Sequence, residues 1–490
     1  MLRVPASGFG LRFKAPGALL VAAIAVACAT NPVTGRREFN LMSEAQEISI
    51  GQESDPQIKQ EMGVYNDAAL QAYVAGIGQR IAKISERPQL PWRFTVVDQT
   101  AINAFAVPGG FIYFTRGILP FLDNEAELAG VMGHEIGHVT ARHSAQQYTR
   151  SLGGQLGLTA LGIFVPAARP FGDISAQALG LLFLKYGRDD ELQSDSLGAG
   201  YISRLGWDPA GVPGMLATLG RLDEAQGESK GVPNWLSTHP EPLSRVDEVR
   251  PLVEKLKAGR SDFATNRDVF LQHIDGIIYG DNPEQGIVRG NAFLHPPLRF
   301  RVDFPEGWEV QNSPAQVAAK APNADVYMLL ELVQKPQGRN VQEVALAQMQ
   351  GAGFRAVGGE RTTINGLEAF VGTYQGQMEG LGAVGVRAAH IAHGTNYYLL
   401  AGITATNLFA QAENAFTGAI RSFRPLSAAE AEAIRPNRID LYVVRQGDTW
   451  AGIAERSGGV IKPATLAIMN NSAPSTAPPV GRRIKIVVGG

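Results

Sequence analysis

His134-Glu135-Ile136-Gly137-His138 sets two imidazoles four residues apart, which on a helix is one turn, so both rings face the same way. Two rings so placed can grip one divalent cation, and Glu135 between them can take the proton of a water held there. The plainer reading is a surface helix that carries two histidines. The flanking residues argue for the first reading. Asn124 and Glu127 have capping-box spacing, and Leu128, Val131, Met132, Ile136 and Val139 recur at helical intervals, so the motif is expected inside a buried helix.

A catalytic zinc takes three protein ligands and leaves a position open for water, so one ligand must come from elsewhere in the chain. Cys28 is the only cysteine, and Ala141 and Ser144 stand where the metzincin pattern needs Gly and His. His143 is then expected as a polar residue on the helix surface. Glu191 is the better candidate, four residues before Asp195 on what reads as a second helix. One carboxylate can ligate the metal while the other holds a ligand imidazole in the correct tautomer. Taken alone, this Glu-x-x-x-Asp would read as an exposed acidic helix face.

Five segments in this order resemble the HtpX-like and BepA-like zinc metallopeptidases of the gluzincin group. They are Asn31-Pro-Val-Thr-Gly-Arg-Arg37, Asn103-Ala-Phe-Ala-Val-Pro-Gly-Gly110, the stretch His134 to His143, Glu191 to Asp195, and Ser237-Thr-His-Pro240. The resemblance covers residues 31 to 250. It implies endopeptidase activity with one zinc ion per chain, His134, His138 and Glu191 as ligands, Asp195 behind them and Glu135 as base. Ser194 departs from the alanine usual in relatives and keeps nearly the same volume.

A zinc ion brings the pKa of its water to about 7, which lets Glu135 work near neutral pH and return the proton to the leaving amine. A further donor is expected for the oxyanion. His239, in a loop-like stretch, is the candidate, with Arg245 as supporting cation. The same imidazole could instead occupy the open position and hold the enzyme inactive; a histidine beside proline is otherwise an ordinary loop residue. Asn103 to Val107 and Phe111 to Phe114 read as strands joined by Pro108-Gly109-Gly110. The edge at Asn103, Ala104, Phe105 and Ala106 can pair with the backbone of an extended polypeptide and ask little of its side chains. An ordinary core hairpin is the alternative.

Arg3, Arg12 and Lys14 precede the apolar run Ala18 to Ala27, which is short for a membrane span and reads as a signal peptide over residues 1–27. Ala25-Val-Ala-Cys28 resembles a lipobox. Lipidation of Cys28 is expected, and Ala29 after it suits the outer membrane of a bacterial lipoprotein, with the rest of the chain in the periplasm. Simple secretion is the alternative. No basic block points to nucleic acid, and the formal net charge is -2. Leu152 to Ala168, apolar and glycine-rich, is expected to flank the cleft.

The expected fold class is multi-domain. A mainly α-helical zincin-type peptidase domain with its N-terminal tether spans residues 28–260, and a connecting region follows over 261–290. Residues 291–426 read as an α+β domain with an antiparallel sheet backed by helices, faintly PsbP-like, in which His390 and His393 are ordinary sheet residues. After a linker, 427–440, residues 441–490 resemble a βααβ LysM module, whose relatives bind the glycan of peptidoglycan. Three functions compete. The first is a periplasmic protease for unfolded or misassembled envelope proteins. The second is a chaperone-like binder with a blocked zinc site. The third is a zinc peptidoglycan amidase.

Overall fold

The structure, a computed structural model, describes residues 28–40, 42–147, 185–226 and 235–490. The signal segment 1–27 and the stretch Leu152 to Ala168 lie outside the described residues. The N-terminal part is mainly helical, and antiparallel sheets make up the C-terminal region.

A short hairpin, β1 (Cys28–Thr30) with β2 (Arg37–Phe39), leads into α1 (Glu44–Met62) and α2 (Ala68–Ile84). A three-stranded sheet follows in the order β3 (Arg93–Val97), β5 (Phe111–Thr115), β4 (Ala104–Val107), with β5 parallel to β3 and antiparallel to β4. Gly109 turns the β4–β5 hairpin at φ +88, and a Cβ there would stand 2.6 Å from the Glu47 carbonyl oxygen, so both backbone angle and space demand glycine. β4 is thus an edge strand, and it lies against α3 (Glu125–Thr140).

Every residue of α3 is buried, and its first turn is capped by the Asn124 side chain, which accepts from the Glu127 amide. At the other end the Asn31 side chain donates to the Ala141 carbonyl at 3.2 Å, and Arg87 Nη1 donates to the Val139 carbonyl at 2.9 Å. Carbonyls of the last turn that have no partner within a helix are thereby satisfied from outside.

α4 (Arg188–Arg204) packs along α3 at unusually close range. A Cβ on Gly198 would stand 2.9 Å from the His134 amide nitrogen, and one on Gly137 would stand 3.1 Å from the Ser194 Cα. Small residues on both sides of this seam bring Glu191 within reach of the α3 histidines. α5 (Gly211–Gln226), the single turn α6 (Trp235–Thr238), α7 (Pro242–Lys257) and α8 (Arg267–Ile274) complete the helical part.

The stretch read as a connector, residues 261–290, holds α8 together with β6 (Ile278–Tyr279) and β7 (Ile287–Arg289). β7, β8 (Ala292–His295), β9 (Phe300–Asp303) and the later β17 (Arg424–Pro425) form a four-stranded sheet. A seven-stranded antiparallel sheet runs β10 (Glu309–Asn312), β11 (Gln316–Lys320), β12 (Val326–Leu332), β16 (Asn396–Ala405), β15 (Gly382–His393), β14 (Leu367–Met378), β13 (Arg355–Ile364). Consecutive residues Ala388 and Ala389 enter two different cores, so α9 (Val341–Gly351) covers one face and α10 (Phe409–Ser422) the other.

The stretch 427–440 is not bare linker. It contains the helix α11 (Ala428–Glu432), capped by Ser427, and the start of β18 (Asn437–Val443). With α12 (Trp450–Arg456), α13 (Pro463–Met469) and β19 (Arg483–Val488) this gives the strand–helix–helix–strand order. β18 pairs with β19 on one side and with β6 on the other. Among the described residues no helix is long and apolar enough to cross a membrane.

Candidate active site

Helix periodicity brings the Nε2 atoms of His134 and His138 to 3.0 Å from each other. Glu191, from α4, enters between them with Oε2 3.6 Å from His134 Nε2 and Oε1 3.4 Å from His138 Nε2. His239, just after α6, puts Nδ1 3.2 Å from His134 Nε2 and 2.9 Å from Glu191 Oε1. The ligating atoms of these four side chains all lie within 4.8 Å of one another, and all four residues are buried. Ser237 and Thr238 form part of a helical turn rather than a loop, and the His239 amide continues it by donating to the Trp235 carbonyl at 2.8 Å.

Asp195 Oδ1 stands 2.9 Å from His134 Nδ1, so that nitrogen carries the proton and Nε2 keeps its lone pair. Arg245 closes the shell. Its Nε and Nη2 donate to both oxygens of Asp195, and its Nη1 pairs with Glu191 Oε2. Arg245 is fully buried, and besides these two carboxylates its Nη1 reaches the Pro240 carbonyl at 3.4 Å.

Charge at the site follows from burial. Glu191 is pushed up by desolvation, but His239, His138 and Arg245 together pull it well below the usual carboxylate range, so it stays ionised. Glu135 goes the other way: desolvation, and then the charge of Glu191, raise it well above that range. The Ala106 backbone amide acts on Glu135 in the opposite sense, and His239 Nε2 stands 3.6 Å from its Oε1. Burial also lowers His138 well below its ordinary value, which keeps the ring neutral.

The donor set fits a divalent metal. Two imidazoles and an ionised carboxylate converge at short range, and lone pairs brought so close together are stabilised by a cation among them. His134, His138 and Glu191 are the residues that would hold it.

His143 does not lie on the helix surface as the sequence reading expects. It is buried, with Nδ1 3.0 Å from His138 Nδ1 and Nε2 2.9 Å from Gln193 Oε1. The cause is local. α3 ends at Thr140 and Arg142 adopts φ +62, a left-handed turn that folds His143 back onto the helix it has just left. Tyr186 and Trp235 also went unread. Tyr186 stacks on His138 at 3.8 Å between ring centroids, and Trp235 stacks on His239 at 4.0 Å. Trp235 and His239 are four residues apart, a spacing that could have paired them. Ala104 to Ala106 lie in β4, with Asn103 just before it. Cys28 lies in β1.

Helix-borne His-Glu-x-x-His residues, with a carboxylate from the next helix, define a zincin-type metallopeptidase site. Residues 68–253 match the profile of Peptidase family M48. It is 31% identical over 238 residues to the beta-barrel assembly-enhancing protease of Escherichia coli (strain K12), a match covering 46% of this chain and 48% of that protein. It is 29% identical over 238 residues to the mitochondrial metalloendopeptidase OMA1 of Schizosaccharomyces pombe, covering 47% of this chain and 67% of that protein. The chain spans about half the length of the first of these relatives. Among solved structures, cyanobacterial PsbP (CyanoP) from Synechocystis aligns with 28% of this chain and 95% of its own, at TM-score 0.23 and 11% identity.

Proposed function

We propose that this chain is a zinc-dependent endopeptidase of the bacterial periplasm, anchored at the outer membrane through a lipidated Cys28 and acting on unfolded or misassembled envelope polypeptides. The observation that carries the catalytic part is the approach of Glu191, from a separate helix, to within 3.6 Å of both imidazole Nε2 atoms. The envelope setting leans on the N-terminal sequence and on the likeness to an assembly-enhancing protease.

Bound zinc would polarise a water molecule and the scissile carbonyl. Glu135 would take the proton of that water at its carboxylate and pass it to the leaving amine. Asp195 fixes the His134 tautomer, and Arg245 keeps Asp195 and Glu191 ionised and in place. The edge of β4 aligns the substrate as an added strand, with backbone pairing that suits unfolded chains of many sequences.

A second reading concerns regulation. His239 sits within the four-residue group with Nδ1 against His134 and Glu191, where it would complete the coordination and exclude water. In that position the enzyme is latent, and withdrawal of His239 with α6 opens it to serve the oxyanion. The C-terminal unit is proposed as a LysM-like peptidoglycan contact. Its strand–helix–helix–strand order and the exposed loop residues Arg445–Gly447 and Ala473–Thr476 support that role.

The test is incubation of the purified full chain with unfolded casein and, separately, with cell-wall sacculi, each with and without a chelator. Chelator-sensitive cleavage of casein alone supports the endopeptidase. Release of muropeptide stems from sacculi alone would instead identify an amidase, and binding of casein without cleavage a holding protein.

A further inference from the structure

The apolar core of the C-terminal unit is continuous with that of the helical part. Val444, Trp450, Ile453, Leu466, Ile468, Met469 and Ile484 belong to the same apolar cluster as Leu128, Val131 and Met132 of α3. α13 packs on α5, and the Ile439 amide and carbonyl bond to Ile277 and Gly276. A module on a free tether would share none of this.

At the centre of this contact lies a buried lysine. Lys485, on β19, is 0% exposed and donates from Nζ to the Leu122 carbonyl at 2.5 Å, two residues before the Asn124 cap of α3. Its backbone is pinned on both sides by Asn470, whose side chain accepts from the Lys485 amide and donates to its carbonyl. The charges around it come from several elements. Asp123 pairs with Arg482 at 2.7 Å and Arg267 at 3.3 Å, Glu127 accepts from the Asp123 amide at 2.7 Å, and Arg221 of α5 also acts on Glu127. An ammonium buried at the positive end of a helix dipole is unfavourable unless carboxylates answer it, and Asp123 and Glu127 do so.

We infer that Lys485 is a positioning residue for the metal centre: it holds the Leu122 carbonyl just ahead of α3, and so sets the placement of His134 and His138 about two and a half to three and a half turns into the helix. Because α3 is rigid and buried throughout, a shift at its first turn is carried along the helix. The C-terminal unit is then a wall of the peptidase rather than an appendage. Its consequence for turnover rests on the endopeptidase reading, whereas its consequence for metal retention does not.

The experiment compares the full chain with Lys485→Met and with Lys485→Met/Glu127→Gln, reading the Zn2+ dissociation constant by competition with a chromophoric chelator, alongside kcat and KM on unfolded casein. Lys485→Met is expected to weaken Zn2+ by about two- to thirtyfold and to lower kcat more than it changes KM. The double variant, which removes the stranded carboxylate charge as well, is expected to regain most of the affinity. Unchanged affinity in the single variant, or a double variant no tighter than the single, overturns the inference. Should Lys485→Met not fold, Arg482→Gln touches the same helix end from the protein surface. A loss of about twofold then supports positioning and no loss overturns it. A wild-type chain that binds Zn2+ and cuts nothing would refute the endopeptidase reading and leave the metal comparison decisive.

Discussion

Arg245 grips Asp195 with two parallel hydrogen bonds, Nε to Oδ2 at 2.8 Å and Nη2 to Oδ1 at 2.7 Å. Asp195 in turn holds His134 Nδ1 at 2.9 Å, which joins α7 to a ligand on α3 through a carboxylate on α4. The forked guanidinium matches both oxygens at once, which a lysine cannot do. Arg245→Lys is therefore expected to weaken Zn2+ by about ten- to hundredfold, as loss of a group behind a ligand commonly does, measured by chelator competition. Wild-type affinity would show that Arg245 does not orient the ligands.

Glu135 contributes nothing to the proposed ligand set, so Glu135→Gln should leave bound metal at one ion per chain while casein cleavage falls by about a hundred- to ten-thousandfold. Metal analysis and a gel assay on the same preparation check both halves. Retained cleavage would place the base elsewhere.

His239→Ala separates the two parts assigned to that imidazole. If His239 blocks the open position, cleavage of casein by the variant exceeds that of the latent wild type at equal metal content. If it serves only the oxyanion, kcat falls by about a hundred- to a thousandfold, the size of a lost oxyanion donor. The contacts of Nδ1 with His134 and Glu191 make the rise the expected outcome.

The seam between α3 and α4 tolerates no added volume at Gly198, where a Cβ would meet the His134 amide nitrogen at 2.9 Å and the Gly133 carbonyl carbon at 3.1 Å. Gly198→Val must push the helices apart and carry Glu191 away from the imidazoles. A loss of about 1–3 kcal/mol in urea unfolding is expected, together with weaker metal binding. Substitution at Gly200, where a Cβ meets nothing within 4 Å, is the control.

Gln348 of α9 bridges two titratable groups of the seven-stranded sheet, the half-buried Glu331 and the buried His390: its Nε2 donates to Glu331 Oε1 at 2.8 Å, and its Oε1 lies 2.9 Å from His390 Nε2. Burial pushes Glu331 up to about 8 and His390 down to about 3. A carboxyl whose folded value is raised contributes its stability fully below its unfolded pKa, and loses it as pH rises towards 8. A histidine whose folded value is lowered contributes fully above its unfolded pKa and loses stability as pH falls towards 3. Of these two groups only Glu331 titrates from pH 6.5 to 8, and its contribution to stability should decline by at most about 2 kcal/mol. Urea midpoints across that range test this, and Glu331→Gln should flatten the slope. An identical slope in the variant would mean that another group titrates.

How much of this was legible in the sequence depends on range. The α3 helix, its cap at Asn124, the Glu191–Asp195 pair and the β4–β5 hairpin rest on spacings of two to five residues, which backbone geometry converts directly into faces and turns. The strands at Tyr327, Leu367, Val384 and Asn396 were readable because each holds a short run of apolar residues, buried on both faces of the sheet. β13 was not: nine of its ten residues are exposed, so no alternation marks it, and its pairing with β14 is what makes it a strand.

Residue types and local periods thus determined which side chains could do chemistry and which short segments would present them. Tertiary structure alone decided that Arg245 is engaged by two carboxylates, that His239 joins His134, His138 and Glu191, and that the last strand buries a lysine at the start of α3. Each of these depends on which surfaces exclude water together. That is settled by packing between segments tens to hundreds of residues apart, a relation that no local pattern encodes.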